Sequence, residues 1–163
     1  MDINIIIRKI EPKDNAAIAA LIRAVLVEHN APKVGTAYAD TSLDRLSEVY
    51  AAERSAYFVV EKDGAIIGGA GIAPLENGAD TVSELQKMYF LPEARGLGLG
   101  AALMQQCLDA AKGFGFSQIY LETLPNMLAA QKLYTKFGFT YLDAPLGDTG
   151  HSSCPVWMIK NLV

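Results

Sequence analysis

The chain has 163 residues, enough for one sizeable hydrophobic core and too few for two ordinary domains, so a single domain over 1–163 is expected. Hydrophobic residues make up 51% and charged residues 20% of it, which excludes a chain that is mainly disordered or fibrous. Lys plus Arg number 14 against 18 Asp plus Glu, a net charge of −4 that excludes a nucleic-acid binder working by phosphate neutralisation.

The isoleucine-rich run from Asn4 to Lys9 predicts a strand, stopped by Pro12, which cannot donate to a ladder. Asp14 is placed to cap a helix that runs to about His29, because Ile18, Leu21, Ile22 and Val25 recur at i, i+3, i+4 and i+7. Periodicity is lost from Asn30 to Thr41. A second helix follows, capped by Thr41 or Ser42 and burying Leu43, Leu46 and Val49 or Tyr50. Tyr57 to Glu61 and Ala65 to Ile72 are β-branched runs joined by Lys62-Asp63-Gly64, and Asp-Gly between such runs predicts a hairpin because its turn needs positive φ. Gly68, Gly69 and Gly71 inside the second run mean a twist or bulge there, the preferred reading, or a close approach by another group. Asn77-Gly78 turns the chain into a third antiparallel strand, Thr81 to Leu91. The period then changes to helical through Leu99, Leu103 and Leu108, up to Lys112 and the breakers Gly113 and Gly115. Ser117 to Leu121 reads as a short strand. Ala130, Leu133, Tyr134 and Phe137 form the stripe of a further helix closed by Gly138. Phe139 to Leu142 and Val156 to Ile159 end the chain as two strands. The order β-α-α-β-β-β-α-β-α-β-β describes a mixed α/β sheet with helices on its faces.

Two cysteines, Cys107 and Cys154, are too few for a disulfide framework, and with His29 and His151 they make a poor zinc set, so no metal is expected. No apolar run approaches the roughly 18 residues of a membrane span, and Met1-Asp2-Ile3 lacks the basic start of a leader. A soluble, cytoplasmic protein with no membrane and no nucleic-acid partner is expected.

Between the third strand of the meander and its helix lies Pro92-Glu93-Ala94-Arg95-Gly96-Leu97-Gly98-Leu99-Gly100-Ala101. Alternate glycines let backbone N–H groups approach a ligand without Cβ obstruction, a helix N-terminus favours an anion, and Arg95 adds a fixed positive charge. The loop is therefore read as a phosphate or pyrophosphate site, against the alternative of a tight turn that holds nothing. Gly96 to Ala101 also satisfies the GxGxxA dinucleotide pattern, with Glu122 as an acidic ribose ligand, but that fold needs this turn after its first strand and several βα units beyond it. A nucleotide-hydrolase loop needs Gly-Lys-Ser/Thr, and Gly100 is followed by Ala101-Ala102.

The stretch Met88 to Gly100 resembles the acetyl-CoA motif of the GCN5-related N-acetyltransferase (GNAT) family, Arg/Gln-x-x-Gly-x-Gly/Ala, through Arg95, Gly98 and Gly100. A second family feature, an Ala-x-x-x-Tyr helix closing on Gly-Phe, appears as Ala130 to Tyr134 and Gly138-Phe139. The resemblance covers nearly the whole chain and is most specific from Glu84 to Phe139. It implies a mixed, mostly antiparallel central sheet with helices on both faces. It also implies an N-acetyltransferase moving acetyl from acetyl-CoA, as co-substrate, to a primary amine by direct attack with both substrates bound. The CoA pyrophosphate is then expected on the N–H groups of Gly96, Leu97, Gly98, Leu99, Gly100 and Ala101, beside Arg95, and the pantetheine arm along Met88, Tyr89 and Phe90. Asn126 keeps an Asn-x-x-Ala spacing with Ala129 but stands one residue out of step with Tyr134, so its place at the cofactor departs from the family pattern.

A primary ammonium with pKa near ~10 must lose a proton before it attacks, and the developing oxyanion needs a preorganised donor. A backbone N–H of Met88 or Tyr89 is the candidate donor. The resemblance makes Glu84 the first candidate base, against an exposed sheet-edge glutamate, and Glu122 is the second, against a capping or salt-bridge role. It makes Tyr134 the acid that protonates the departing thiolate, against simple packing in its apolar stripe. Cys154 near His151 admits a nucleophile reading, but direct transfer needs no covalent enzyme intermediate, so a place in the acceptor pocket is preferred. Cys107 reads as core, and Trp157 and His29 have no assigned role. The acceptor, a small-molecule or peptide amine, is expected to be selected by the segments 30–41 and 143–155. The resemblance also allows a homodimer, which no residue here specifies. An acyl-CoA-binding sensor without turnover and a nicotinamide-dependent oxidoreductase are the alternatives.

Overall fold

Seven strands form one sheet in a computed structural model that describes residues 4–163; the Met1-Asp2-Ile3 start lies outside the described residues. Strands β1 (Ile5–Lys9), β2 (Ala56–Lys62), β3 (Ala65–Pro74) and β4 (Val82–Phe90) make an antiparallel meander, with α1 (Asn15–Glu28) and the short α2 (Leu46–Val49) between β1 and β2. Helix α3 (Leu99–Gly113) crosses to β5 (Gln118–Thr123), which lies parallel to β4. Helix α4 (Leu128–Lys136), β6 (Thr140–Leu142) and β7 (Val156–Asn161) complete the order β1-β2-β3-β4-β5-β7-β6. This is the mixed, mostly antiparallel sheet expected.

Each face of the sheet has its own core. On one, Ile18, Leu21, Ile22 and Val25 of α1 are at most 4% exposed and pack with Tyr57 and Val59, so the helical spacing read in the sequence is the buried stripe. On the other, Leu103, Met104, Cys107 and Ala111 of α3 are fully buried with Val60, Ile72, Ile119 and Leu121. Truncating Leu103 to alanine there carries the usual cost of a core cavity, about 2–5 kcal/mol.

The feature that positions the site is a split in the sheet. Strands β4 and β5 pair only at Val82, Ser83 and Glu84, opposite Gln118, Ile119 and Tyr120; β4 then runs on to Phe90 without that partner. Just past the split β4 carries a bulge: Gly69 faces Tyr89 and Gly71 faces Gln86, leaving Lys87 and Met88 opposite Ala70 alone. Lys87 sits at φ 51°, a left-handed conformation that a lysine adopts only under constraint. The constraint includes the Tyr57 hydroxyl, which donates to the Lys87 carbonyl at 2.8 Å.

Several local expectations are corrected. Asp14 does not cap α1 with its side chain; its carboxylate accepts from the Glu11 N–H at 2.8 Å and from both terminal nitrogens of Arg8 at 2.7 and 2.9 Å. Neither Thr41 nor Ser42 caps a helix, because Thr41–Arg45 is a 3-10 turn running into the single turn of α2, tied to α1 by Asn15 through Ser47. Tyr50, not Val49, is the buried residue that follows. The glycines of β3 are explained chiefly by close approach: a Cβ on Gly68 would lie 2.3 Å from the Phe90 ring, and on Gly71 2.6 Å from that of Tyr57. The bulges fall beside them, at Ile67 in the pairing with β2 and on β4 in the pairing with β3.

Candidate active site

From β4 the chain enters a 3-10 turn, Pro92–Ala94, and then the glycine loop that opens α3. Gly96 at φ 79° and Gly98 at φ 74° take left-handed conformations, and no atom lies within 4 Å of where their Cβ atoms would be. Glycine there provides both the turn and an unobstructed backbone. The first-turn amides of α3, from Leu99 onward, have no acceptor within the helix, so they present the donors and positive dipole end that suit an anion. Gly100 faces α4: its Cβ would come within 3.1 Å of Leu133 Cδ2, so the absent side chain lets the two helices close together.

A cleft of about 360 Å³ leads away from this loop through the split. Met88, Tyr89 and Phe90 of β4 form one wall, Ala130, Leu133 and Tyr134 of α4 the other, and Arg95, Gly96, Gly98, Leu99 and Gly100 the end. The structure thus brings most of the sequence-derived cofactor residues to one cavity. Leu97 and Ala101 are not among its lining residues, and Leu97 is 47% exposed. Asn126 does not line it either; its amide donates to the His29 carbonyl at 2.6 Å and ties the β5–α4 connection to the end of α1. Arg95 lines the cleft with its guanidinium engaged bidentately by Glu28 at 2.6 and 2.7 Å, while also donating to the Phe90 carbonyl at 3.0 Å. That pairing holds the Glu28 carboxyl below its usual range.

Sequence reasoning missed Val25, His29 and Met127 in the wall. Val25 belongs to the core stripe of α1 and carries no signal of a second duty. His29 follows the last turn of that helix, its Nδ1 3.0 Å from the Val25 carbonyl.

Tyr134 is 5% exposed, packs its ring 5.8 Å from that of Phe139, and its hydroxyl makes no hydrogen bond among the described residues. Burial pushes that phenol above its ordinary pKa, so it stays protonated across the physiological range. The packing role and the cleft-facing role are thus both present in one residue.

On the other face, Glu84 is the last β4 residue paired with β5 and is only 6% exposed. Burial drives its carboxyl up to about 7; Gln86, donating to Oε1 at 2.5 Å, opposes the shift, Glu122 adds to it, and His151 and Lys87 oppose it. An exposed edge glutamate is excluded by this burial. Glu122 sits two residues beyond Tyr120 on β5 and is hydrogen-bonded on both oxygens, by the Tyr120 hydroxyl at 2.6 Å and by the Thr149 hydroxyl. Its visible work is to anchor the loop between β6 and β7.

That loop meets the segment 30–41. His151 Nε2 lies 2.9 Å from Asp40 Oδ2, Lys87 Nζ lies 3.6 Å from the same oxygen, and Ser153 donates to the carbonyls of Gly35 and Val34 at 3.0 Å each. A second cavity of about 240 Å³ beneath it is lined by Glu122, Thr149, His151, Cys154 and Trp157. The His151 ring is turned to Asp40 rather than to Cys154, and burial pushes the Cys154 thiol up to about 12, so it is not a ready nucleophile. Cys107 is fully buried in the core. Among the described residues no group of three or more His, Cys, Asp or Glu is placed to hold a metal ion, and no helix is long and apolar enough to cross a membrane.

The meander preceding the glycine turn, and the single parallel pair after it, exclude the doubly wound sheet that the GxGxxA reading requires. Comparison with known proteins points the same way. The family model described as Acetyltransferase (GNAT) family matches residues 22–139. The uncharacterized N-acetyltransferase YjgM of Escherichia coli (strain K12) is 42% identical over 158 residues, covering 96% of this chain and 95% of that protein. A GNAT-family acetyltransferase structure from Staphylococcus aureus Mu50 superimposes with TM-score 0.87 at 21% identity, over 98% of this chain and 100% of that one. The structure of yncA from Salmonella typhimurium, a putative acetyltransferase with its cofactor acetyl-CoA, superimposes with TM-score 0.78 at 21% identity, over 98% and 95% of the two chains. A glycine loop at a helix start, a split sheet and a sequence match across both therefore agree that this chain belongs to the GNAT family of N-acetyltransferases.

Proposed function

We propose that the chain, acting as one domain, transfers the acetyl group of acetyl-CoA to a primary amine by direct attack, with both substrates bound on opposite sides of the split between β4 and β5. The observation that carries this reading is the cleft itself, which joins a backbone anion site at Gly96 to Gly100 to Tyr134, a largely buried residue whose hydroxyl makes no hydrogen bond among the described residues. The open Cβ positions of Gly96 and Gly98 fit a pyrophosphate, and the apolar walls fit a pantetheine arm. Acetyl-CoA supplies a thioester carbonyl for the amine to attack and a thiolate to leave.

The protein's own groups divide the remaining work. Glu84, with a carboxyl near pKa 7, accepts the proton of the incoming ammonium directly or through one water. The bulge at Lys87 and Met88 breaks the β3–β4 ladder, and the N–H of Met88 or Tyr89 is assigned as the donor to the developing oxyanion. Tyr134 holds a proton for the departing thiolate; because the thiol's pKa of about 8.5 lies below that of the phenol, the transfer requires the two groups to be in contact. Glu122, already occupied by two hydroxyl donors, is the less suitable base. The acceptor enters where the segments 30–41 and 143–155 meet.

Calorimetry with acetyl-CoA tests the cofactor site, wild type against Gly98→Glu. The carboxylate at this position repels a pyrophosphate and adds a left-handed strain of about 1–2 kcal/mol. Binding should fall at least about 100-fold in a variant that keeps its far-UV circular dichroism, since like-charge juxtaposition costs several kcal/mol. Undiminished binding by Gly98→Glu would place the cofactor elsewhere. Release of free thiol in the presence of a panel of amines then tests turnover.

A further inference from the structure

Gly71 lies in register between Tyr57 on β2 and Gln86 on β4, so all three point to the same face of the sheet. With no side chain at Gly71, two tyrosines occupy the slot: its Cβ would lie 2.6 Å from Tyr57 Cδ2 and 2.9 Å from Tyr50 Cε1. Their rings pack at 5.1 Å with a 48° tilt, and their hydroxyls reach adjacent points of β4. Tyr57 donates to the Lys87 carbonyl at the bulge, and Tyr50 donates to Gln86 Oε1 at 2.5 Å. The Gln86 amide nitrogen in turn donates to Glu84 Oε1 at 2.5 Å, while Glu84 Oε2 makes no hydrogen bond among the described residues.

The chain of donors has one consistent direction. An ionised carboxylate only accepts, so Gln86 must turn its NH2 to Glu84 and its oxygen to Tyr50, and Tyr50 must be the donor. Burial keeps the Tyr50 phenol protonated. We propose that Tyr50 and Gln86 form a positioning relay for Glu84. The Tyr50 hydroxyl fixes the Gln86 amide, the amide holds Glu84 Oε1, and Oε2 is left free to take the proton of the acceptor amine. The inference rests on Glu84 being the base of the proposed reaction. It assigns Gly71 a task in that reaction, because a side chain there displaces the Tyr50 ring that starts the relay.

The groups facing Glu84 are Tyr120 and Glu122 on β5, Lys87 on β4, Tyr50 after α2, His151 and Cys154 from the β6–β7 loop, and Gln86 itself. Gln86 favours the ionised form, so its removal raises the Glu84 midpoint, whereas a purely structural role for the pair leaves it in place.

The test is a 13C titration of the glutamate carboxyls in the full chain by NMR, with Glu84 assigned by its loss in Glu84→Gln. Wild type should titrate near 7. Gln86→Met, which keeps length without a donor, should titrate higher, and Tyr50→Phe, which removes one hydroxyl from the slot, should titrate higher by less. Thiol release should mirror this, with activity falling at every pH because Glu84 is no longer held, and falling further below neutral pH, by up to about tenfold per unit of displacement. An unmoved or lowered midpoint in Gln86→Met and Tyr50→Phe, with Glu84→Gln inactive, overturns the relay alone. Full activity in Glu84→Gln overturns the base assignment beneath it, whatever the titrations show. If Gln86→Met does not fold, Tyr50→Phe decides.

Discussion

The glycine loop and the two loops that meet at Asp40 and His151 lie on either side of one split in the sheet, and they present their chemistry by different means. The glycine loop offers backbone: amides at the start of α3, two left-handed glycines, and open space where side chains would be. Across the split the chemistry is in side chains, with Glu84, Lys87, Asp40 and His151 brought together from separate parts of the chain. A backbone site serves one invariant ligand group and tolerates little change. A side-chain site can be respecified residue by residue, which suits the partner that differs between acceptors.

The sharpest way to break this contrast is Glu84→Gln. Loss of a positioned general base typically costs about 10²–10⁴ in kcat, while acetyl-CoA affinity should stay within about twofold because Glu84 does not line the cleft. The same substitution should stabilise the protein. Folding lifts the Glu84 carboxyl from 4.5 to about 7, so the ionised form is disfavoured in the native state. Stability is then highest below the unfolded value and declines as pH rises from 4.5 through 7. At pH 8 the amide removes that burden, and thermal denaturation should show a gain of about 1–3 kcal/mol. Loss of activity together with loss of stability would mean that Glu84 serves the fold rather than the reaction.

The same contrast explains what the sequence made legible. Arg95, Gly96, Gly98 and Gly100 fall within six consecutive positions, and the glycines' requirement for a φ of 74–79° or a missing Cβ leaves a local trace. Tyr134 was placed by its spacing from Ala130 and Gly138, within a stripe that the structure buries. The helical stripe of α1 and the hairpin at Asp63-Gly64 were readable for the same local reason. The bulge at Lys87 was not, because nothing in Gln86-Lys87-Met88 announces a left-handed lysine; its cause includes Tyr57, thirty positions earlier. The wall residues Val25 and Met127, and the meeting of Asp40 with His151, likewise depend on tertiary approach. Gly68, Gly69 and Gly71 gave a signal whose meaning could be assigned only once Phe90, Tyr57 and Tyr50 were seen against them.

A smaller effect sharpens the backbone side of the comparison. Arg95 and Glu28 are each about 40% exposed, with side-chain values of 41% and 39%, so their bidentate pair adds no more than about 1 kcal/mol to folding. Its weight falls on binding, because Glu28 competes with a pyrophosphate for the guanidinium. Glu28→Gln should therefore tighten acetyl-CoA binding about two- to fivefold at low salt with little change in Tm, and Arg95→Met should weaken it about tenfold. Equal affinities in wild type, Glu28→Gln and Arg95→Met at low salt would show that the loop amides act without the arginine.

The last effect belongs to the other side. Asp40 joins the segment 30–41 to His151 and Lys87, so Asp40→Asn weakens the charge that holds the two loops together without touching the cleft. Hydrogen exchange should quicken across 143–155, and the KM for a reactive amine should rise about three- to tenfold, as for loss of a charge-assisted hydrogen bond, with acetyl-CoA affinity unchanged. Burial raises the Asp40 carboxyl, but His151 and Lys87 outweigh it and the net shift is downward. Its contribution is thus present above the unfolded value of 3.8 and is lost only as pH falls below it. From pH 5 to 9 the wild-type carboxylate stays charged, so pH alone should not reproduce the exchange pattern of Asp40→Asn by titrating Asp40. An acceptor KM that ignores Asp40→Asn while the loop exchange quickens would separate the latch from the acceptor and move amine selection to the walls around Glu122 and Trp157.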